Sequence, residues 1–152
     1  MSRVNVRQAE PTELASVLSL AEAFYREDGF GTPVSELHEN LVVLLRSDTA
    51  RVAVADSHDT IVGFAITTLS YGLEQGLVAE LEDLFVQPTD RRTGIASGLI
   101  HDSVNWARSR GCRSLELVIA PNGNDVVHLF DYYSRQGFTD DGRRLLSRDL
   151  TQ

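Results

Sequence analysis

Six residues, Arg91-Arg92-Thr93-Gly94-Ile95-Ala96, stand where a strand gives way to a helix. Their types suit an anion. A helix N-terminus leaves backbone N–H groups without partners and carries partial positive charge, and a phosphate placed there satisfies both. Gly94 lets the chain turn and a ligand come close, Ala96 keeps the wall low, and Arg91 and Arg92 add charge. Just upstream, Glu80-Leu81-Glu82-Asp83-Leu84-Phe85-Val86 carries carboxylates. A carboxylate can take a proton from an amine, which with a pKa of ~10.4 is mostly protonated at neutral pH. Alternation predicts Glu80 and Glu82 on one face of a strand and Asp83 on the other, unless a β-bulge re-aims them.

These residues need elements to hold them. Val4 and Val6 alternate with polar neighbours in a short strand. After Pro11, Leu14, Val17, Leu18, Ala21, Phe24 and Tyr25 recur at three and four, which predicts a helix with one apolar stripe. A second helix is predicted over about 34–46, carrying Leu37, Leu41, Leu44 and Leu45. RVAVAD and IVGFAITTLS read as a hairpin around SHDT, followed by the loop YGLEQG and the strand VAELEDLFV, which Pro88 ends. Ala96, Leu99, Ile100, Val104 and Ala107 mark the helix after the cradle, with Gly111 as its cap. SLELVIA predicts a strand and 125–135 a helix ended by Gly137. Short strands around Phe138 and over 144–150 close the chain. The order, roughly β-α-α-β-β-β-α-β-α-β-β, predicts a mixed α/β sheet with helices on its faces, in a single domain over residues 1–152.

The formal net charge is −8. It argues against nonspecific nucleic-acid binding, which rests on basic side chains meeting phosphates, and suits a cationic substrate through electrostatic steering. Cys112 is the single cysteine, so neither an internal disulfide nor a cysteine metal cluster forms, and a reducing cytoplasm fits. His38, His58, His101 and His128 lack metal-ligand spacing; no metal is expected. The N-terminal stretch lacks the apolar core of a signal peptide, and no run reaches membrane-spanning length. The glycine patterns of dinucleotide folds and P-loops are absent.

The R-x-x-G-x-A pattern after a strand resembles the acetyl-CoA signature of the GNAT N-acetyltransferase superfamily. Leu84-Phe85-Val86-Gln87-Pro88 is similar to that family's V-x-P approach, and Tyr133-Ser134-Arg135-Gln136-Gly137-Phe138 to its Y-x-x-x-G-F segment. The element order is also similar, and the resemblance is specific from about Leu77 to Phe138. It implies a GNAT fold: a mixed, mostly antiparallel sheet of about seven strands with about four helices. It also implies acetyl transfer from acetyl-CoA, as co-substrate, to an amine. On that reading Leu84, Phe85, Val86, Arg91, Arg92, Thr93, Gly94, Ile95, Ala96, Ser97 and Tyr133 bind the cofactor. Val86 offers its N–H to the acetyl carbonyl or the pantetheine. The family's asparagine position is occupied by Val126, which leaves Asn122 or Asn124 to substitute. Tyr133 matches the acid that protonates the CoA sulfur. Asp83 matches the acidic position of many small-molecule members, including aminoglycoside acetyltransferases, and ranks first as base or substrate carboxylate. Glu80, which matches the basic glutamate of histone-type members, ranks behind it with Glu82. Tyr25, Glu27, Asp28, Tyr71, Glu74 and Asp83 are expected around the acceptor. The resulting expectation is a small-molecule amine, aminoglycoside- or polyamine-like, with antibiotic resistance as the setting for the former. The alternatives are a protein or peptide amine, and a non-catalytic acyl-CoA-binding regulator. A homodimer paired through the C-terminal strands completes the implied picture, with neither nucleic acid nor membrane as partner.

Overall fold

The computed structural model describes residues 3–120 and 126–151. Four strands run antiparallel in sequence order: β1 (Val4–Gln8), β2 (Ala50–Ser57), β3 (Thr60–Gly72) and β4 (Gly76–Val86). The fifth, β5 (Leu115–Glu116), joins the far edge parallel to β4. Helices α1 (Leu14–Glu27) and α2 (Val34–Arg46) lie between β1 and β2 in sequence; α3 (Ile95–Ser109) precedes β5, and α4 (Val126–Arg135) follows it. His58 and Asp59, both at positive φ, make the two-residue turn of the β2–β3 hairpin.

Strand alternation builds two cores. Val52, Val54, Phe64, Ile66 and Phe85 face α1 and α2, whose Val17, Leu20, Ala21 and Leu41 pack on them. Ala53, Ala55, Ala65, Leu81 and Val86 face α3, where Ile95, Leu99 and Ile100 close the layer. The alanines on this second face let α3 come close. Gly63 serves the same approach: a Cβ there would stand 2.9 Å from the Phe85 carbonyl oxygen and 3.4 Å from Leu99 Cδ1.

The expected helices are present; the expected seven strands are not. Among the described residues the sheet has five strands. Phe138 is instead drawn into the cap of α4, its N–H bonded to the Tyr133 carbonyl at 3.1 Å. Residues 143–151 form no strand. Side chains of Asp140, Asp141 and Asp149 bond the backbone N–H two residues on, at Gly142, Arg143 and Thr151, and such local bonds compete with a ladder. Leu145, Leu146 and Leu150 stay exposed, so no buried face repays strand formation.

Candidate functional site

The sheet opens beside β4. That strand pairs with β5 only at Ala79↔Leu115 and Glu80↔Glu116, so its outer edge from Leu81 to Val86 has no strand neighbour among the described residues. The Gln87 N–H bonds the Val62 carbonyl on β3. Main-chain direction alternates along a strand, so Phe85 also faces β3, and Leu84 and Val86 turn their N–H and C=O groups to the open edge. A strand edge of this kind can bind an extended ligand through main-chain hydrogen bonds.

The edge leads to the start of α3. Pro88–Asp90 forms a 3₁₀ turn, Arg92 takes a left-handed φ of 63°, and Gly94 caps the helix at φ 87°. A non-glycine residue held at positive φ stores strain of a kind that clusters at functional sites. Thr93 Oγ1 ties the loop by donating to the Asp90 carbonyl at 2.6 Å. The two arginines diverge. Arg92 is exposed, with no hydrogen-bond or ion-pair partner among the described residues. Arg91 donates through Nε to the Val86 carbonyl at 2.8 Å, grips Glu27 with both terminal nitrogens at 2.9 and 2.8 Å, and lies 5.3 Å over the Phe85 ring. Glu27, expected beside the acceptor, and Arg91, expected at the phosphate, are therefore bonded to each other. Ser97, expected at the cofactor, accepts a hydrogen bond from Gln136 Nε2 at 2.8 Å, which joins the start of α3 to the end of α4.

The carboxylates owe their placement to a bulge. The β3–β4 register shifts so that Ile66 faces Asp83 and Thr67 faces Leu81, leaving Glu82 as the extra residue. Leu81 is thereby buried on the α3 side, while Asp83, two residues on, turns to α1. Tyr25 Oη donates to Asp83 Oδ1 at 3.1 Å. Burial pushes the half-buried Asp83 up to about 6; the Tyr25 hydrogen bond pulls the other way, and the Glu82 charge adds to the rise. Burial, with the Asp83 charge behind it, raises the Tyr25 hydroxyl well above its usual range. Glu82 is exposed and accepts from Thr68 Oγ1 at 3.0 Å. Glu80 is pushed up to about 7, first by its hydrogen bond with Glu82, then by burial, with the charges of Glu82 and Glu116 adding. Asp28 is raised by burial and by Glu27.

Two tyrosines flank this region, and one device sets both. In α4 the Phe138 N–H bonds the Tyr133 carbonyl and the Gly137 N–H bonds the Ser134 carbonyl, with Gly137 at φ 95°. That is a Schellman cap, and the Tyr133–Phe138 ring contact at 5.8 Å is its apolar clasp. In α1 the Phe30 N–H bonds the Tyr25 carbonyl and the Gly29 N–H bonds the Arg26 carbonyl, with Gly29 at φ 76° and rings 5.3 Å apart. Tyr25–Phe30 reads YREDGF and Tyr133–Phe138 reads YSRQGF, so the same Y-x-x-x-G-F spacing marks both caps. Tyr133 is half-buried against Tyr132 and Phe138, and burial lifts its hydroxyl to about 12. Among the described residues that hydroxyl has no hydrogen-bond partner.

Other expected residues stand apart. Tyr71 and Glu74 are exposed at the β3–β4 hairpin tip, where Tyr71 pairs with Leu77. That is roughly 20 Å of strand from Asp83, so the structure does not bring them to it. Asn122 and Asn124 lie outside the described residues. No group of three or more metal-ligating side chains is assembled among the described residues, and no helix there is long and apolar enough to cross a membrane. A cavity of about 160 Å³ reaches Asp83 from between α1, α2 and β3. Asn40, Leu41 and Leu44 of α2 help to line it; the apolar spacing of α2 predicted a buried stripe there, not a void.

Fold and site together place an open strand edge, the glycine-capped start of α3 and the Tyr25-bonded carboxylate of Asp83 on or beside one strand, β4. The acetyltransferase (GNAT) family model matches residues 14–138. Aminoglycoside N(6')-acetyltransferase type 1 of Klebsiella aerogenes is 33% identical over 111 residues, covering 70% of this chain and 72% of that protein. An uncharacterized N-acetyltransferase of Methanocaldococcus jannaschii is 29% identical over 97 residues; that match covers 62% of this chain and only 42% of the relative's length. The solved structure of an aminoglycoside N-acetyltransferase in complex with CoA shares the fold, with a TM-score of 0.85 over 99% of this chain and 97% of that one at 23% identity. The chain belongs to the GNAT acetyltransferase family, and its class is acyltransferase.

Proposed function

We propose that the protein transfers an acetyl group from acetyl-CoA to a primary amine of a small cationic molecule, by direct attack while both are bound. The carrying observation is the juxtaposition of an open β4 edge, which ends at the cradle of α3, with the bulge-displaced Asp83. The pyrophosphate sits on the first-turn N–H groups of α3, with Arg92 as the uncommitted cation. The pantetheine follows the β4 edge past Leu84 and Val86. The acceptor arrives protonated, and Asp83, ionised above about pH 6, takes its proton. The free amine attacks the thioester carbonyl, and the Val86 N–H meets the oxyanion. The oxyanion then collapses and the C–S bond breaks; Tyr133 gives its proton to the departing thiolate and regains one from the ammonium nitrogen of the intermediate, while the proton held by Asp83 passes to solvent. Glu80, raised to about 7 by its hydrogen bond with Glu82 and by burial, is a reserve acceptor on the same strand. CoA complexes among structural neighbours support the donor, and the aminoglycoside relative supports a small-molecule acceptor over a protein amine.

The test is CoA thiol release with acetyl-CoA and a panel of small amines and short peptides. We expect turnover with small amines, and Asp83→Asn to lower kcat/KM at least a hundredfold. Turnover confined to peptides would move the acceptor to a protein amine. CoA binding without turnover of any amine would overturn the enzymatic reading.

A further inference from the structure

The cavity that reaches Asp83 has a lopsided chemistry. Val17 and Ala21 of α1, Leu41 and Leu44 of α2, and Phe64 and Ile66 of β3 make its body. Its polar groups are Asp83, the Tyr25 hydroxyl already bonded to Asp83, and Asn40. Among the described residues Asp83 is the single carboxylate on the wall and the single residue from β4, the strand that borders the open edge. The charged end of the cavity is therefore the end beside the proposed acetyl group, and the apolar end runs back under the helices. A void of about 160 Å³ matches the size of cavity that holds benzene, or about six carbon-sized atoms.

We infer that the acceptor is an amine on a compact apolar body, a short alkylamine or arylmethylamine, with its carbon chain in this cavity and its ammonium on Asp83. This rests on the transfer reading above and narrows its acceptor class. A sugar ring would bury several hydroxyls against leucine and valine, and once Asp83 and Tyr25 are engaged with each other and the ammonium, Asn40 is the polar side chain left among the described lining residues to answer them; an unanswered hydroxyl is a penalty. A polyamine would put its second cation among the same side chains, with no second carboxylate on the wall among the described residues. A hydrocarbon body gains by leaving water for that lining.

The test is a homologous series of n-alkylamines, methylamine to octylamine, with benzylamine, spermidine and kanamycin beside it, each at saturating acetyl-CoA. Burying one methylene strengthens binding about fourfold. The expected result is a kcat/KM that climbs by about that factor per carbon, breaks near five or six carbons as the void fills, and exceeds spermidine and kanamycin at least tenfold. Two variants move the break in opposite directions: Ala21→Leu to shorter amines, Leu44→Ala to longer ones. Should Ala21→Leu fail to fold, Leu44→Ala carries the test. Calorimetric titration of the same amines onto the CoA-bound protein separates the two readings. Chain-length-dependent binding without acetylation would sink the transfer reading and keep the cavity assignment. Acetylation that is flat along the series, or fastest with kanamycin or spermidine, would overturn the assignment and keep the transfer.

Discussion

Asp83 shows what a single residue gives up to be useful. Its carboxyl is raised from 3.8 to about 6, chiefly by burial, so the folded state holds the Asp83 proton more tightly than the unfolded chain does. The sign follows from linkage: stability from this group is present at acid pH and is lost as pH rises from about 4 through about 6. The shift corresponds to up to about 3 kcal/mol above that window. Asp83→Asn, which keeps the shape and still accepts from Tyr25, should therefore raise Tm at pH 7.5 while removing activity, with a much smaller gain at pH 4. Thermal melts at the two pH values check this; a Tm that falls at pH 7.5 would show Asp83 to be a structural ion. In the wild type, kcat/KM should decline as pH drops through about 6. Tyr25→Phe removes the one hydrogen bond that favours the charged carboxylate, so that inflection should move upward, a displacement that a purely packing role for Tyr25 would not cause.

At the scale of elements, the two Y-x-x-x-G-F caps explain where Tyr25 and Tyr133 stand. A 6→1 bond needs its glycine four residues after the tyrosine and its aromatic clasp five after, so the spacing that marks Tyr133 is first a requirement for ending a helix. A Cβ at Gly29 or Gly137 would meet nothing within 4 Å. The cost of alanine there is conformational, about 1–2 kcal/mol for an L-residue held at positive φ, and it falls on the element that carries the tyrosine. Gly29→Ala should raise KM for the amine several-fold through Tyr25 and Asp83; Gly137→Ala should mainly lower kcat through Tyr133. Steady-state kinetics of the pair decide, and identical losses in both would show the caps to serve stability alone. The same contrast shows what a single sequence reveals. Local periodicities, glycine caps and the R-x-x-G-x-A turn are short-range physics, and they located α1, α2, α3, α4 and the open strand. The β4 bulge was legible only as an alternative to regular alternation, because register depends on β3. The Arg91–Glu27 grip joins residues 64 positions apart, and nothing in their local pattern sets one against the other. The C-terminal leucines read as a strand because composition does not show that no face waits to bury them.

Over the whole molecule, charge and chemistry are divided. All fourteen basic side chains are arginine, so the chain offers acetyl-CoA no lysine amine of its own, and CoA release reports the added acceptor without a self-acetylated lysine background. The net charge of −8 draws an ammonium toward the protein and opposes the anionic donor, for which the proposed cradle is correspondingly local: helix N–H groups and Arg92 rather than a broad basic face. Long-range attraction between exposed charges is screened over about 10 Å at 0.1 M salt, whereas a contact with half-buried Asp83 is screened far less. Salt therefore separates steering from recognition. At saturating acetyl-CoA, kcat/KM for a cationic alkylamine should fall several-fold between 20 and roughly 500 mM NaCl. For O-methylhydroxylamine, a nucleophile uncharged at neutral pH, it should stay level. Asp83→Glu should then retain the salt slope while losing rate, because it keeps the charge that steers and displaces the oxygen proposed to receive the proton. Equal slopes for the charged and the neutral nucleophile would assign the salt effect to the donor or to folding, and the acidity of this chain to solubility alone.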